Sequence, residues 1–148
     1  MLTVRHRNFF VVEPILLTTA TIGAQEIYPT NNSTLAIHAE LLPYAKLETI
    51  PKESNIACLD FDTLTLPLHV RPWQQGDKFR PLGMKGFKKI SDFLIDKKIN
   101  LIEKQNIKVV LSGEDVVWVM GHRIDDRYKT TPKTKQILWL ELEDSLSL

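Results

Sequence analysis

Apolar and polar positions divide the 148-residue chain into a first half of short strand-like runs and a second half with one clear helix and a hairpin. Leu2–Val12 is rich in β-branched and aromatic residues and stops before Pro14; Ile15–Ile22 is a second such run. Pro29–Ser33 is a turn cluster ahead of a short apolar stretch, Thr34–His38. Leu59–Val70 alternates enough to predict one strand, with Pro67 placing it at a sheet edge or splitting it. Further on, Ser91 is the expected N-cap of a helix opening at Asp92, with Ile90 and Ile95 as a hydrophobic staple. Ile90, Phe93 and Leu94 share one face of it, and Lys97 and Lys98 close it with the favourable dipole sign. A second short helical piece is expected around Leu101–Gln105. Ile107–Leu111 and Val116–Met120 read as strands joined by a hairpin turn, Ser112–Asp115. Gly121 breaks the second strand, polar residues His122–Lys135 cross to a last strand, Gln136–Leu142, and the acidic tail frays.

These elements predict an α+β fold: a mixed, mainly antiparallel sheet with one or two short helices. The expected organisation is a β-rich segment, 1–65, preceding a module, 66–148, the two packed as one compact unit. No apolar run approaches the ~20 residues that span a bilayer, and the N-terminus lacks a signal-peptide pattern. The lone Cys58, in an apolar setting, excludes an internal disulfide and points to a cytoplasmic home; a small buried hydrophobe is its expected role.

Charge changes the picture. Residues 1–69 carry a net −3, residues 70–135 a net +7 and residues 136–148 a net −3. Segregation of this kind suggests that the middle of the chain meets a polyanion. The cations gather on the glycine-punctuated stretch Gly76–Lys89, just ahead of the helix, where positive charge opposes the helix dipole unless an external anion sits there. Lys78, Arg80, Lys85, Lys88 and Lys89 supply charge, Gly76, Gly83 and Gly86 permit close approach, and Pro72 and Pro81 stiffen the flanks. The spacing matches neither GxxxxGK[ST] nor GxGxxG, which disfavours a nucleotide pocket and favours contact with a nucleic-acid backbone. An ordered structural loop is the plain alternative.

A second cationic stretch, Gly121–Lys133, carries Arg123, Arg127, Lys129 and Lys133 and could join the first. Against this, Asp125 and Asp126 can neutralise Arg123 and Arg127 in local ion pairs; that fits Arg127 well, whereas Arg123, beside a glycine at a strand end, leans toward function. Asp92 and Asp96 share a helix face but stand among lysines, so charge compensation explains them better than acid–base chemistry, and Asp77 reads as a turn former. Four scattered histidines give no zinc spacing, and no nucleophile motif is visible. Trp118 and Trp139 are expected in the core, and Trp73 is expected to pack as well.

Residues 66–140 resemble the C-terminal domain of bacterial tRNA(Ile)-lysidine synthetase. The matching run is Pro67–Trp73, Gly76–Phe79, Pro81–Met84, Gly86 and Lys88–Ile99, followed by Val117–Val119, Gly121, Arg123–Lys129 and Thr131–Thr134. The resemblance implies a part in an enzyme that uses ATP to ligate lysine to the wobble cytidine of isoleucine tRNA. In that family adenylation belongs to an N-terminal domain with an SGGxDS loop, which this chain does not contain, so the chain is expected to be a C-terminal piece that makes no lysidine alone. No cofactor is expected here; ATP and Mg belong to the catalytic domain. The implied partners are tRNA(Ile), held at acceptor-stem phosphates, and that catalytic domain. Carried over by position, Arg71, Lys78, Arg80, Lys85, Lys88, Lys89, Arg123 and Lys129 are the expected RNA contacts, while Asp77, Ser91, Asp92 and Asp125 read as architectural. A protein-interaction module that docks on the catalytic domain, on an acidic partner or on a second copy as a homodimer stays open as the alternative.

Overall fold

Val109, Val110 and Leu111 alternate between two separate apolar cores, and that alternation defines the architecture. A strand sends successive side chains to opposite faces, so a strand that is apolar at every position must be covered on both. The structure, a computed structural model, describes residues 8–11, 15–17 and 36–143. Its strands are β1 (Asn8–Val11), β2 (Ile15–Leu17), β3 (Ala36–Pro43), β4 (Ile56–Asp60), β5 (Leu68–Pro72), β6 (Lys78–Phe79) and β7 (Lys88–Lys89). Helices α1 (Ile90–Asp96) and α2 (Leu101–Gln105) follow, then β8 (Lys108–Ser112), β9 (Asp115–Val119), β10 (Arg123–Ile124) and β11 (Gln136–Glu143). The fold is α+β, with every named strand pair antiparallel.

One sheet has the order β1-β3-β11-β4 and the other β10-β9-β8-β5-β2; β6 and β7 form a separate ribbon. Strands from both ends of the sequence therefore pair within the same sheets. The first core lies between the sheets, with Ile37, Leu59, Leu138 and Leu140 facing Val70, Val110, Val117 and Trp118. The second lies on the outer face of the five-stranded sheet, where Phe79, Ile90, Phe93 and Leu94 pack on Val109, Leu111, Val116 and Val119. The result is three layers: sheet, sheet, then α1 with the β6–β7 ribbon.

A bulge lets β9 serve both cores. Val110 pairs with Trp118 but Leu111 with Val116, so Val117 is the extra residue. Two successive side chains, Val117 and Trp118, thereby enter the same core, which strict alternation forbids. The hairpin closes through Gly113 and Glu114, with Gly113 at φ +61° as a two-residue turn demands.

The structure corrects four expectations. The helix starts at Ile90, not Asp92, and Ser91 is no cap: the Ile90 amide donates instead to the Asp77 carbonyl at 2.9 Å, so the loop backbone does the capping. The Ile90–Ile95 staple is absent, because Ile95 lies five helical positions on, about 140° round the axis, and is 60% exposed. Leu59–Val70 is not one strand. β4 stops at Asp60, whose carboxylate accepts the Asp62 amide at 3.1 Å and whose carbonyl accepts the Thr63 hydroxyl at 2.7 Å, turning the chain from one sheet to the other; β5 begins only after Pro67. Trp139 is half-buried rather than core, since its neighbours Leu138 and Leu140 take the inward face, and its indole N–H donates to Glu141. Trp118 is fully buried, and Trp73 packs on the second core and donates to the Lys104 carbonyl at 2.8 Å. Cys58 is buried, which pushes its thiol up to about 11. The runs at 18–22 and 29–33, and the tail beyond residue 143, lie outside the described residues.

Candidate nucleic-acid interface

The loop Gly76–Lys89 is built on Asp77. Its carboxylate takes both Arg71 guanidinium nitrogens, at 2.9 and 3.0 Å, and the Gln74 amide at 2.7 Å. Burial alone would raise the Asp77 carboxyl; the Arg71 and Gln74 hydrogen bonds outweigh it and hold the group below the usual carboxylate value. Gly76, just before Asp77, sits at φ +95°, and the chain turns into β6. Asp77 is thus the turn former that its position suggested, and Arg71 is its partner.

The far end of the loop is fastened to the second cationic stretch. Asp125 is fully buried and accepts the Arg80 amide at 2.8 Å, the Arg127 amide at 2.8 Å and two Arg127 guanidinium nitrogens at 3.0 Å. Asp126 accepts the Gly83 amide at 3.0 Å and the Lys129 ammonium at 3.1 Å; the Gly83 bond is the main reason its carboxyl sits below the usual value. The backbone adds Leu82 N–H to the Ile124 carbonyl at 3.0 Å and Asp126 N–H to the Arg80 carbonyl at 2.7 Å. Two stretches about 45 positions apart along the chain are so held as one surface.

Arg71, Lys88 and Lys129, three of the eight expected contacts, are engaged by carboxylates: Arg71 by Asp77, Lys88 by Asp96 and Lys129 by Asp126. Among the described residues no carboxylate pairs with Lys78, Arg80, Lys85, Lys89 or Arg123. Lys78 lies directly opposite Lys89 across the β6–β7 pair, so both side chains project from the same face. The Arg123 guanidinium lies 5.5 Å and the Lys97 ammonium 5.7 Å from the Phe93 ring centroid. Arg127 is neutralised by Asp125 and Asp115, as the acidic neighbours suggested. Phe87 is the residue that sequence reasoning passed over. It is exposed, with the Lys78 ammonium 5.2 Å and the Arg127 guanidinium 4.8 Å from its ring centroid. Its signal was an aromatic between Gly86 and two lysines, in a glycine-punctuated loop rather than in a periodic apolar run.

Among the described residues no three His, Cys, Asp or Glu side chains are grouped to hold a metal, and no helix is long and apolar enough to cross a membrane. The molecule is thus a two-sheet α+β domain that carries a fastened loop with an excess of unshared positive charge.

Comparison with known proteins names the family. Residues 68–139 match the family model described as TilS substrate C-terminal domain. The chain is similar to the tRNA(Ile)-lysidine synthase of Parabacteroides distasonis, 46% identical over 89 residues, covering 60% of this chain and 20% of that protein. It is similar to that of Bacteroides thetaiotaomicron, 43% identical over 89 residues (60% and 21%), and of Clostridium tetani, 32% identical over 112 residues (76% and 24%). A crystal structure of a TILS C-terminal domain superposes with a TM-score of 0.66 at 22% identity, covering 93% of this chain and 96% of that one, a likeness of fold. Residues 68–139 belong to the family of tRNA(Ile)-lysidine synthetase C-terminal domains. The chain spans about a fifth of the length of the curated relatives it matches.

Proposed function

We propose that this domain holds isoleucine tRNA for a cytoplasmic lysidine-forming ligase, with Lys78, Arg80, Lys85, Lys89 and Arg123 meeting RNA phosphates. ATP, Mg and the ligation chemistry belong to a catalytic domain of the same enzyme, and this domain is its tRNA-positioning part. The observation that carries the reading is Lys78 opposite Lys89. Like charges directly across an antiparallel pair destabilise it, and an external anion between them relieves the repulsion. An A-form acceptor stem offers such anions, since its deep major groove is closed to side chains and its phosphates and shallow minor groove carry the contact. Lysines on a rigid loop suit that surface.

The test is binding of the 148-residue chain to tRNA(Ile) across a range of salt. Five neutralised phosphates give log K against log salt a slope of roughly −3 to −5. An affinity indifferent to salt sinks the reading. A second reading, docking on the catalytic domain or on a second copy, is favoured by one observation: Ile95, Leu101 and Ile102 of α1 and α2 are exposed. Sedimentation separates the two, because a salt-stable dimer indifferent to tRNA supports the second.

A further inference from the structure

The tip of the loop carries more than charge. Leu82, Met84 and Phe87 are 42%, 40% and 53% exposed, although each lies within a loop whose backbone is fastened. Single exposed apolar side chains are ordinary. Three within six residues, alternating with glycine and lysine, concentrate apolar surface at one loop tip, where the Lys78 and Arg127 cations stand over the Phe87 ring. Their exposure is not slack in the chain: Leu82, Gly83 and Met84 each donate a backbone hydrogen bond, to Ile124, Asp126 and Pro81. The backbone beside the patch is open as well. A Cβ built at Gly83 or Gly86 would meet nothing within 4 Å, so a flat ligand can lie close against the chain.

We infer that this tip receives the face of a nucleobase at an open RNA end, which stacks on Phe87 in place of the Lys78 ammonium with Leu82 and Met84 nearby, while the displaced Lys78 and Lys85 take the adjoining phosphates. The inference rests on the reading that the loop meets RNA, and adds what part of the RNA it meets. Phosphates alone explain lysines but not three large apolar side chains. Base faces are the apolar surfaces of RNA, and inside a duplex they are hidden by stacking; only an end or an unpaired nucleotide presents one. A ring that already holds two cations places positive charge beside the phosphates that flank such a base.

The experiment compares an RNA duplex joined at one end by a non-nucleotide linker, which leaves one open end, with the same stem so joined at both ends, each binding the full chain. Stacking of one base predicts that the open-ended RNA binds about 5- to 100-fold tighter, and that a fluorescent base analogue at its terminus is quenched on binding. Phe87→Leu removes both the preference and the quenching and leaves the salt slope in place; Met84→Ser weakens the preference without touching the ring-held cations. Equal binding of the open and closed RNAs, with a normal salt slope, overturns the stacking site but leaves the phosphate reading standing. Absence of salt-dependent binding to either RNA overturns both.

Discussion

Asp125 accepts the backbone amide of Arg80 at 2.8 Å from a fully buried position, and the same carboxylate grips Arg127 through both oxygens. One acid therefore sets the loop, and its partner Arg127 reaches the ring of Phe87 on that loop.

Replacement of Asp125 follows directly. Asp125→Ala strands four N–H donors, the Arg80 and Arg127 amides and two Arg127 guanidinium nitrogens, together with a half-buried cation. Unpaired buried donors and broken buried ion pairs of this kind cost about 2–4 kcal/mol. Urea denaturation is expected to show that loss, and limited proteolysis is expected to cut earlier within 76–89. An unchanged midpoint would remove Asp125 as the fastening.

The five unshared cations and the three paired ones are expected to separate in RNA binding. Lys78→Gln, Lys85→Gln and Lys89→Gln each reduce the salt slope by about 0.7–0.9 where one phosphate contact is lost, with stability unchanged within about 0.5 kcal/mol. Lys88→Gln moves the slope less, because Asp96 already shares its charge. Fluorescence anisotropy at several salt concentrations distinguishes them; a Lys88 effect as large as that of Lys89 refutes the division.

Arg71 is expected to matter to stability rather than binding. Arg71→Ala leaves the largely buried Asp77 carboxylate short of two hydrogen bonds, at about 1–3 kcal/mol. The folded state holds the Asp77 carboxyl below its ordinary value of 3.8, so the pair's contribution is complete above that value and is lost as pH falls through the lower folded one. Denaturation curves between about pH 5 and pH 2 are expected to be less pH-dependent in Asp77→Asn. An identical pH dependence in that variant contradicts the assignment.

Tyr128 gives an alkaline counterpart. Its hydroxyl donates to Asp115 at 2.5 Å, and burial followed by that bond pushes the phenol up to about 12. A raised folded value means the contribution is complete below the unfolded value of 10.0 and fades as pH rises through about 12. Ultraviolet difference titration is expected to show one tyrosine ionising late, and Tyr128→Phe to lose that step with about 0.5–1.5 kcal/mol of stability. A phenol titrating at its ordinary value would contradict the contact.

The apolar pattern carried the antiparallel strands, the Gly113 hairpin, the second helix and the burial of Trp118, because each follows from side-chain period and turn chemistry within a few residues. The same locality explains the errors. Ser91 has the chemistry of a cap, but the Asp77 carbonyl, brought from thirteen residues upstream, reached the Ile90 amide instead. The break in Leu59–Val70 came from Asp60 bonding its own following residues, a choice that pays only where the chain must cross between sheets.

At the interface, the identity of the cations and the run of motif residues were legible along the chain, and so was the family. Which cations keep their charge was not. Asp96 lies eight residues from Lys88 and Asp77 six from Arg71, and nothing in spacing alone says that either pair closes. The sequence determined how much positive charge this protein carries and where along the chain; tertiary structure decided which of it is free, since an ion pair depends on distances set by folding and falls off with separation, not with position in the sequence.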